Sequence, residues 1–276
     1  MYDNLCKYLI ETFPEDFAAW LLGEPVKLDR LSPEELSSEP IRADTLIVFQ
    51  GQDVILHVEF QTRPDKTMSF RMLDYFVRLY RKFPSKRIHQ IVVYLDPTTS
   101  SLVYTNSFKV GSTYHKFQII RLWEQPKDQF FASPGLLPFA TLAQYPDAAA
   151  EQVLRDVAQQ IEAVDNPKTR SNLTAAAATL AGLKLEKELI YKILRSDVMR
   201  ESVIYQDILQ MGRQEGRQEG IEEGRQEGIE EGRRLERYVL LRQVVQFLRE
   251  QNIPVDRLLG IFGVTLAELG EEPENN

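Results

Sequence analysis

Residues 41–62, IRADTLIVFQGQDVILHVEFQT, constrain the fold most: two runs rich in β-branched and aromatic residues flank a Gly51-Gln52 break. The pattern predicts a β-hairpin. A two-residue Gly-X loop with Gly51 at positive φ pairs Gln50 with Asp53. That register sets Asp44 opposite Glu59 and Arg42 opposite Gln61. Alternation puts Val54, Leu56, Val58 and Phe60 on a core face, and Asp53, Ile55, His57, Glu59 and Gln61 on the other. Directly opposed carboxylates would have Cβ atoms about 4.5–5.5 Å apart and repel one another. Such a pair needs a cation between its members or a proton on one of them. A hard divalent metal meets that need, because Mg²⁺ takes one or two carboxylates and completes its shell with water and phosphate. Two solvated carboxylates, each paired with Lys or Arg, meet it equally.

Downstream, residues 67–83 predict an amphipathic helix with Met68, Met72, Phe76, Leu79 and Phe83 as its buried stripe. Arg71, Tyr75, Arg78 and Lys82 form a second, basic stripe, which reads either as a solvated face or as a phosphate-facing one. Residues 88–95 (IHQIVVYL) predict a strand buried on both faces. Residues 102–105 and 116–122 predict two more strands, with Gly111-Ser112 between them. Residues 3–22 predict a helix interrupted at Pro14. The order of elements gives an α/β class, a mixed sheet flanked by helices with a helical crossover after the hairpin. Helical patterns then cover 136–142, 148–164, 169–183 and 185–209.

Residues 212–232 repeat a four-residue unit, GRQE or GIEE, so glycine recurs at every fourth position. On an α-helix that line of glycines drifts by about 40° per repeat. Each glycine costs about 1 kcal/mol relative to alanine. The segment reads as a linker or as a helix–helix seam in which glycines permit close approach. Its charge excludes a membrane GxxxG helix. Residues 233–250 predict an amphipathic helix with Leu235, Val239, Leu240, Val244, Phe247 and Leu248 on its apolar side, followed by short helices at 255–262 and 266–269. The expected organisation is a sheet domain over 1–145, a helical extension over 146–210, the repeat over 211–234 and a small helical segment over 235–276.

Composition narrows the function classes. The net charge of −8 argues against a sequence-independent coat on DNA. Residues 1–145 hold 16 Lys and Arg against 17 Asp and Glu, and residues 66–87 carry seven basic side chains against Asp74 alone. A local basic patch matters more for phosphate binding than the average. The single cysteine, Cys6, excludes an internal disulfide and a Cys-cluster zinc site, and fits a reducing cytosol. No signal-peptide pattern and no apolar run of membrane-spanning length is present, so a cytoplasmic protein without membrane contact is expected. There is no Walker loop, dinucleotide fingerprint or nucleophile elbow. His57, His89 and His115 lack metal-ligand spacing and read as structural, with His57 of interest because it shares the face of Glu59.

An Asp on one strand, Glu-x-Gln on the next, then a basic helix and a strand resemble the core of PD-(D/E)XK nucleases. Asp44, Glu59-Phe60-Gln61, Arg71, Tyr75 and the Gly-spaced tail resemble more closely the bacterial recombination-promoting nuclease (Rpn-like), transposase-related family. The resemblance implies a restriction-endonuclease-like fold and Mg²⁺- or Mn²⁺-dependent hydrolysis of DNA phosphodiesters, in recombination or transposition. It implies Asp44, Glu59 and Gln61 as catalytic residues, and Asp44, Glu59 and the Phe60 carbonyl as metal ligands. Arg71, Tyr75, Arg78 and Lys82 would contact DNA, and Glu11 would be an additional acid. Gln61 stands where the family pattern has lysine, and an amide supplies neither positive charge nor a base. The alternative is a catalytically inactive nuclease-fold protein that binds DNA or assembles. In both readings the C-terminal helical tail makes a homo-oligomer.

Overall fold

Five strands hydrogen-bond in the order β1-β2-β3-β4-β7: β1 (Asp29–Arg30), β2 (Ile47–Gln50), β3 (Val54–Gln61), β4 (Arg87–Tyr94) and β7 (Gln118–Arg121). The computed structural model describes residues 2–31, 47–194, 202–251 and 253–265. Strands β1, β2 and β3 run antiparallel, whereas β3, β4 and β7 are parallel, so the sheet is mixed. The parallel β3–β4 step is made by the expected crossover helix, α3 (Met68–Lys82).

The hairpin forms with a register two residues away from the expected one. Ile47 pairs with Val58 and Gln50 with Ile55. The Gly51 N–H donates to the Val54 carbonyl at 2.8 Å, which leaves Gln52 and Asp53 as the loop. Gly51 is absent from the glycines at positive φ, so the Gly-X turn and the Gln50–Asp53 pairing are both corrected. Glycine is needed there for space, since a Cβ would come within 2.9 Å of Val54 Cγ1 and 3.1 Å of Val26 Cγ1. A shift of two keeps every side chain on its predicted face, because the period of a strand is two. The Asp44–Glu59 and Arg42–Gln61 pairings involve positions 42 and 44, outside the described residues.

Both faces of the sheet are covered, and seven consecutive residues of β3, Val54 to Phe60, are buried. On one face Val54, Leu56, Val58 and Phe60 join the main core, as expected. Two helices lie there, α1 (Tyr2–Thr12) and α2 (Pro14–Leu22), divided at Phe13-Pro14. Pro14 takes the first helical position, where its missing N–H costs nothing. Gly23, at φ 81°, closes α2. The same core takes residues from α4 (Ala150–Glu162), α5 (Pro167–Ala181) and α6 (Lys187–Ile193). Residues 136–142, expected as a helix, lie in a 3-10 segment, Pro134–Leu142, buried from Gly135 to Leu142 and with Pro138 inside it. Of the helix expected over 185–209, the described residues show α6 ending at Ile193 and α7 (Val203–Glu250) starting at Val203, and residues 195–201 lie outside them.

α3 covers the opposite face through Met68, Met72, Tyr75 and Leu79. Tyr75 was expected in the basic stripe, but it packs in a cluster with Leu31, Val48, Ile55 and Leu79. Residues 102–105 form most of a 3-10 turn (Ser101–Tyr104) rather than a strand. Gly111, at φ 57°, turns a separate hairpin of β5 (Ser107–Val110) and β6 (Thr113–Lys116).

The chain divides into two compact units, Met1–Leu209 and Gln210–Asn276. In the second, α7 carries the glycine repeat and then packs Leu241 and Val245 against Val255, Leu259 and Val264 around the short helix α8 (Asp256–Phe262). Leu235, Val239, Leu240, Val244 and Phe247, read as the packing stripe, are exposed. The expected helix at 266–269 lies outside the described residues. Among the described residues no helix is long and apolar enough to cross a membrane.

Candidate functional site

The α3-facing side of β3 and β4 carries a buried polar group that interrupts two otherwise apolar strands. His57 and Glu59 are fully buried on β3, and Gln90 is buried on β4. The parallel register sets His57 beside Gln90 and Glu59 beside Val92. Burying a carboxylate here is costly unless partners surround it, and they do. Gln61 donates from Nε2 to Glu59 Oε2 at 3.3 Å. Arg71, one turn into α3, brings Nη1 to 3.6 Å from the same oxygen. Arg71 is also clasped by Asp65. Asp65 accepts from the backbone N–H and the hydroxyl of Thr67 at 2.7 Å each. Burial draws the Asp65 carboxyl upward, but the Thr67 bonds and the Arg71 charge together hold it below the usual range.

Glu59 Oε1 behaves differently: it is buried and accepts no hydrogen bond. Facing it at 3.6 Å is His57 Nε2, also buried and without a hydrogen bond. The tautomer of His57 follows from its neighbours. Gln90 Nε2 lies 2.8 Å from the Met72 carbonyl, which can only accept, so that atom is the amide nitrogen. Its second hydrogen goes to His57 Nδ1 at 2.9 Å. Nδ1 is thus the acceptor, and His57 carries its proton on Nε2, aimed at Glu59. Gln90 Oε1 in turn receives His115 Nε2 at 2.7 Å. Donors therefore run in one direction, from His115 through Gln90 and His57 to Glu59. Burial pushes the His115 imidazole below its ordinary range. Tyr75 meets His57 edge to face at 5.0 Å, and its hydroxyl is raised first by burial and then by the Glu59 charge.

Of the residues singled out from sequence, Glu59, Gln61, Arg71 and Tyr75 come together. Phe60 points its ring into the opposite core. Its carbonyl lies outside the β3–β4 ladder, which odd-numbered carbonyls feed, Asp53 to Arg87 N and Gln61 to Leu95 N. Arg78 pairs with Asp74 at 3.0 Å, and Lys82 lies at the end of α3, more than two turns beyond Arg71. Glu11 belongs to the helices on the other face and pairs with Arg30 at 3.0 Å. Asp44 is outside the described residues. The sequence reading missed Asp65, Gln90 and His115. An Asp two residues before a helix-opening Thr, and a lone Gln within an apolar strand, are the signals that mark the first two.

Among the described residues no three His, Cys, Asp or Glu side chains converge as a metal-ligating cluster. The feature that fits a hard cation is Glu59 Oε1, an anionic oxygen buried without a hydrogen bond. His57 offers a proton there rather than a lone pair, so it is not a ligand in this tautomer. Comparison of the chain with protein-family models, with curated proteins and with solved structures finds no match.

Proposed function

We propose that this protein is a metal-dependent DNA endonuclease with a restriction-endonuclease-like sheet domain, its chemistry centred on Glu59. The observation that carries the reading is the buried Oε1 of Glu59, which accepts no hydrogen bond, on a β2-β3-β4 sheet whose same face is crossed by a basic helix. Glu59 Oε1, the Phe60 carbonyl and Asp44 would hold Mg²⁺ or Mn²⁺. A bound divalent ion supplies Lewis acidity toward a phosphoryl oxygen and lowers the pKa of water. The chain's own residues do the positioning. Gln61 fixes Glu59 Oε2, Arg71 offsets the carboxylate charge at the end of the strand, and His57 turns its Nε2 proton toward Oε1. The tail beyond residue 210 is proposed to join copies of the chain.

A second reading, a nuclease-fold protein that binds DNA without cutting it, is favoured by the Arg71 guanidinium at 3.6 Å from Glu59. There the cation that a buried carboxylate needs comes from the chain itself. Supercoiled plasmid incubated with Mg²⁺ or Mn²⁺ separates the two. Nicking by the wild type that disappears in Glu59→Gln and in Asp44→Asn is the expected result. An intact plasmid with both metals would leave the binding protein.

A further inference from the structure

From the face that α3 shares with the β5–β6 hairpin, we infer that the nucleic acid is engaged as an unpaired single strand, with one base seated in a cleft beside β4. The inference rests on the DNA reading above and names the form of the substrate.

The cleft has a volume of about 470 Å³ and opens where β7 stops pairing. β7 begins opposite Ile91, so among the described residues no strand pairs with Ile88 to Gln90 on that side. Its lining includes Gln90, Asn106, His115, Lys116 and Gln118 against the ring of Phe76. The carboxamides of Asn106 and Gln118 offer paired donors and acceptors to the edge of a base, and the volume falls within the range of small-ligand pockets. No Asp or Glu is among the lining residues, and none occurs between Asp96 and Glu124 in a chain with 41 of them. Lys109, Lys116 and Arg121 fall in that acid-free stretch.

Aromatic rings continue the surface outward. Tyr80 stacks on Phe76 with centroids 6.1 Å apart and planes 12° from parallel, yet it is 54% exposed. Phe70, packed on Phe108 at 5.6 Å, is 59% exposed. Exposed rings interleaved with lysines are what a single strand requires, because each unpaired base has a free π-face and each phosphate a charge. A duplex hides those faces within its stack and leaves such rings without use.

The test is fluorescence anisotropy in EDTA at low salt, which reads binding without cleavage. The probes are labelled oligodeoxythymidylate of about 20 nucleotides and a hairpin duplex of equal length, comparable to the site sizes of single-strand binders. The expected result is single-strand binding at least about tenfold tighter than duplex, weakened on the order of tenfold by Tyr80→Ala and by Phe70→Ala. Asn106→Ala with Gln118→Ala should weaken it further, and all these exposed variants should melt like the wild type. Duplex bound as tightly as single strand, or ring variants that bind normally, would overturn the inference and leave plasmid nicking through Glu59 untouched. Absence of binding to both probes would overturn it together with the DNA reading.

Discussion

Removing the guanidinium of Arg71 would leave the Glu59 carboxylate buried beside an amide and an imidazole, with no cation at hand. Arg71→Ala should therefore cost about 3 kcal/mol in urea unfolding, the usual penalty for stranding a buried charge. Glu59→Gln should cost less, and the double variant should recover part of the loss, a coupling that a double-mutant cycle measures. His115 carries a separate expectation. Burial depresses its imidazole below the ordinary 6.5, so between those two values the unfolded chain binds a proton that the folded protein refuses. Its effect on stability is nil above 6.5 and destabilising as pH falls below that value. The urea midpoint should drop as pH falls below about 6.5, and His115→Asn, which keeps a donor for Gln90, should flatten that part of the slope.

Among the elements, the 3-10 segment Pro134–Leu142 carries a glycine with no room for a Cβ. A Cβ on Gly135 would lie 2.4 Å from Phe13 Cβ, and the Gly135 N–H donates to Asp16 Oδ2 at 2.8 Å. Gly135→Ala should destabilise by about 1–3 kcal/mol, the cost of overpacking, with a matching fall in the denaturation midpoint. Sequence made β2, β3, β4 and the crossover helix legible because alternation and amphipathic spacing are local, whereas it put a strand on the 3-10 turn Ser101–Tyr104 and left out the β5–β6 hairpin. The β2–β3 register was not legible, since Gly51 was read for its turn freedom when close packing against Val26 is what demands it. Position 75 shows a similar limit. A tyrosine fits a charged stripe by spacing, but its ring is drawn into the cluster of Leu31, Val48, Ile55 and Leu79. Glu59, His57 and Gln61 were legible as one face of a strand, whereas Gln90 and His115 reach that face only through the parallel pairing with β4 and the fold of a second hairpin.

For the whole molecule, the C-terminal unit raises the question of what the glycines serve. A Cβ at Gly220, Gly224, Gly228 or Gly232 would meet nothing within 4 Å in this chain. Changing all four to alanine should raise helicity and thermal persistence, by up to about 1 kcal/mol per site. If copies associate through this helix, as proposed, the same variant should also lose mass in light scattering, because added methyl groups hold the partners apart. The exposed side of α7 beyond the repeat shows why amphipathic spacing misread that end. Leu241 and Val245 face α8, while Leu240, Val244 and Phe247 lie exposed elsewhere on the same helix. The repeat also fixes a handedness. A spacing of four residues exceeds the 3.6 of the helix, so from Gly220 to Gly232 the glycine line winds about 120° around the axis. A straight neighbour can follow only part of it. A helix that stays with the glycines must coil in the right-handed sense, opposite to a heptad zipper, so any seam built on them is a short crossing and not a long parallel rod.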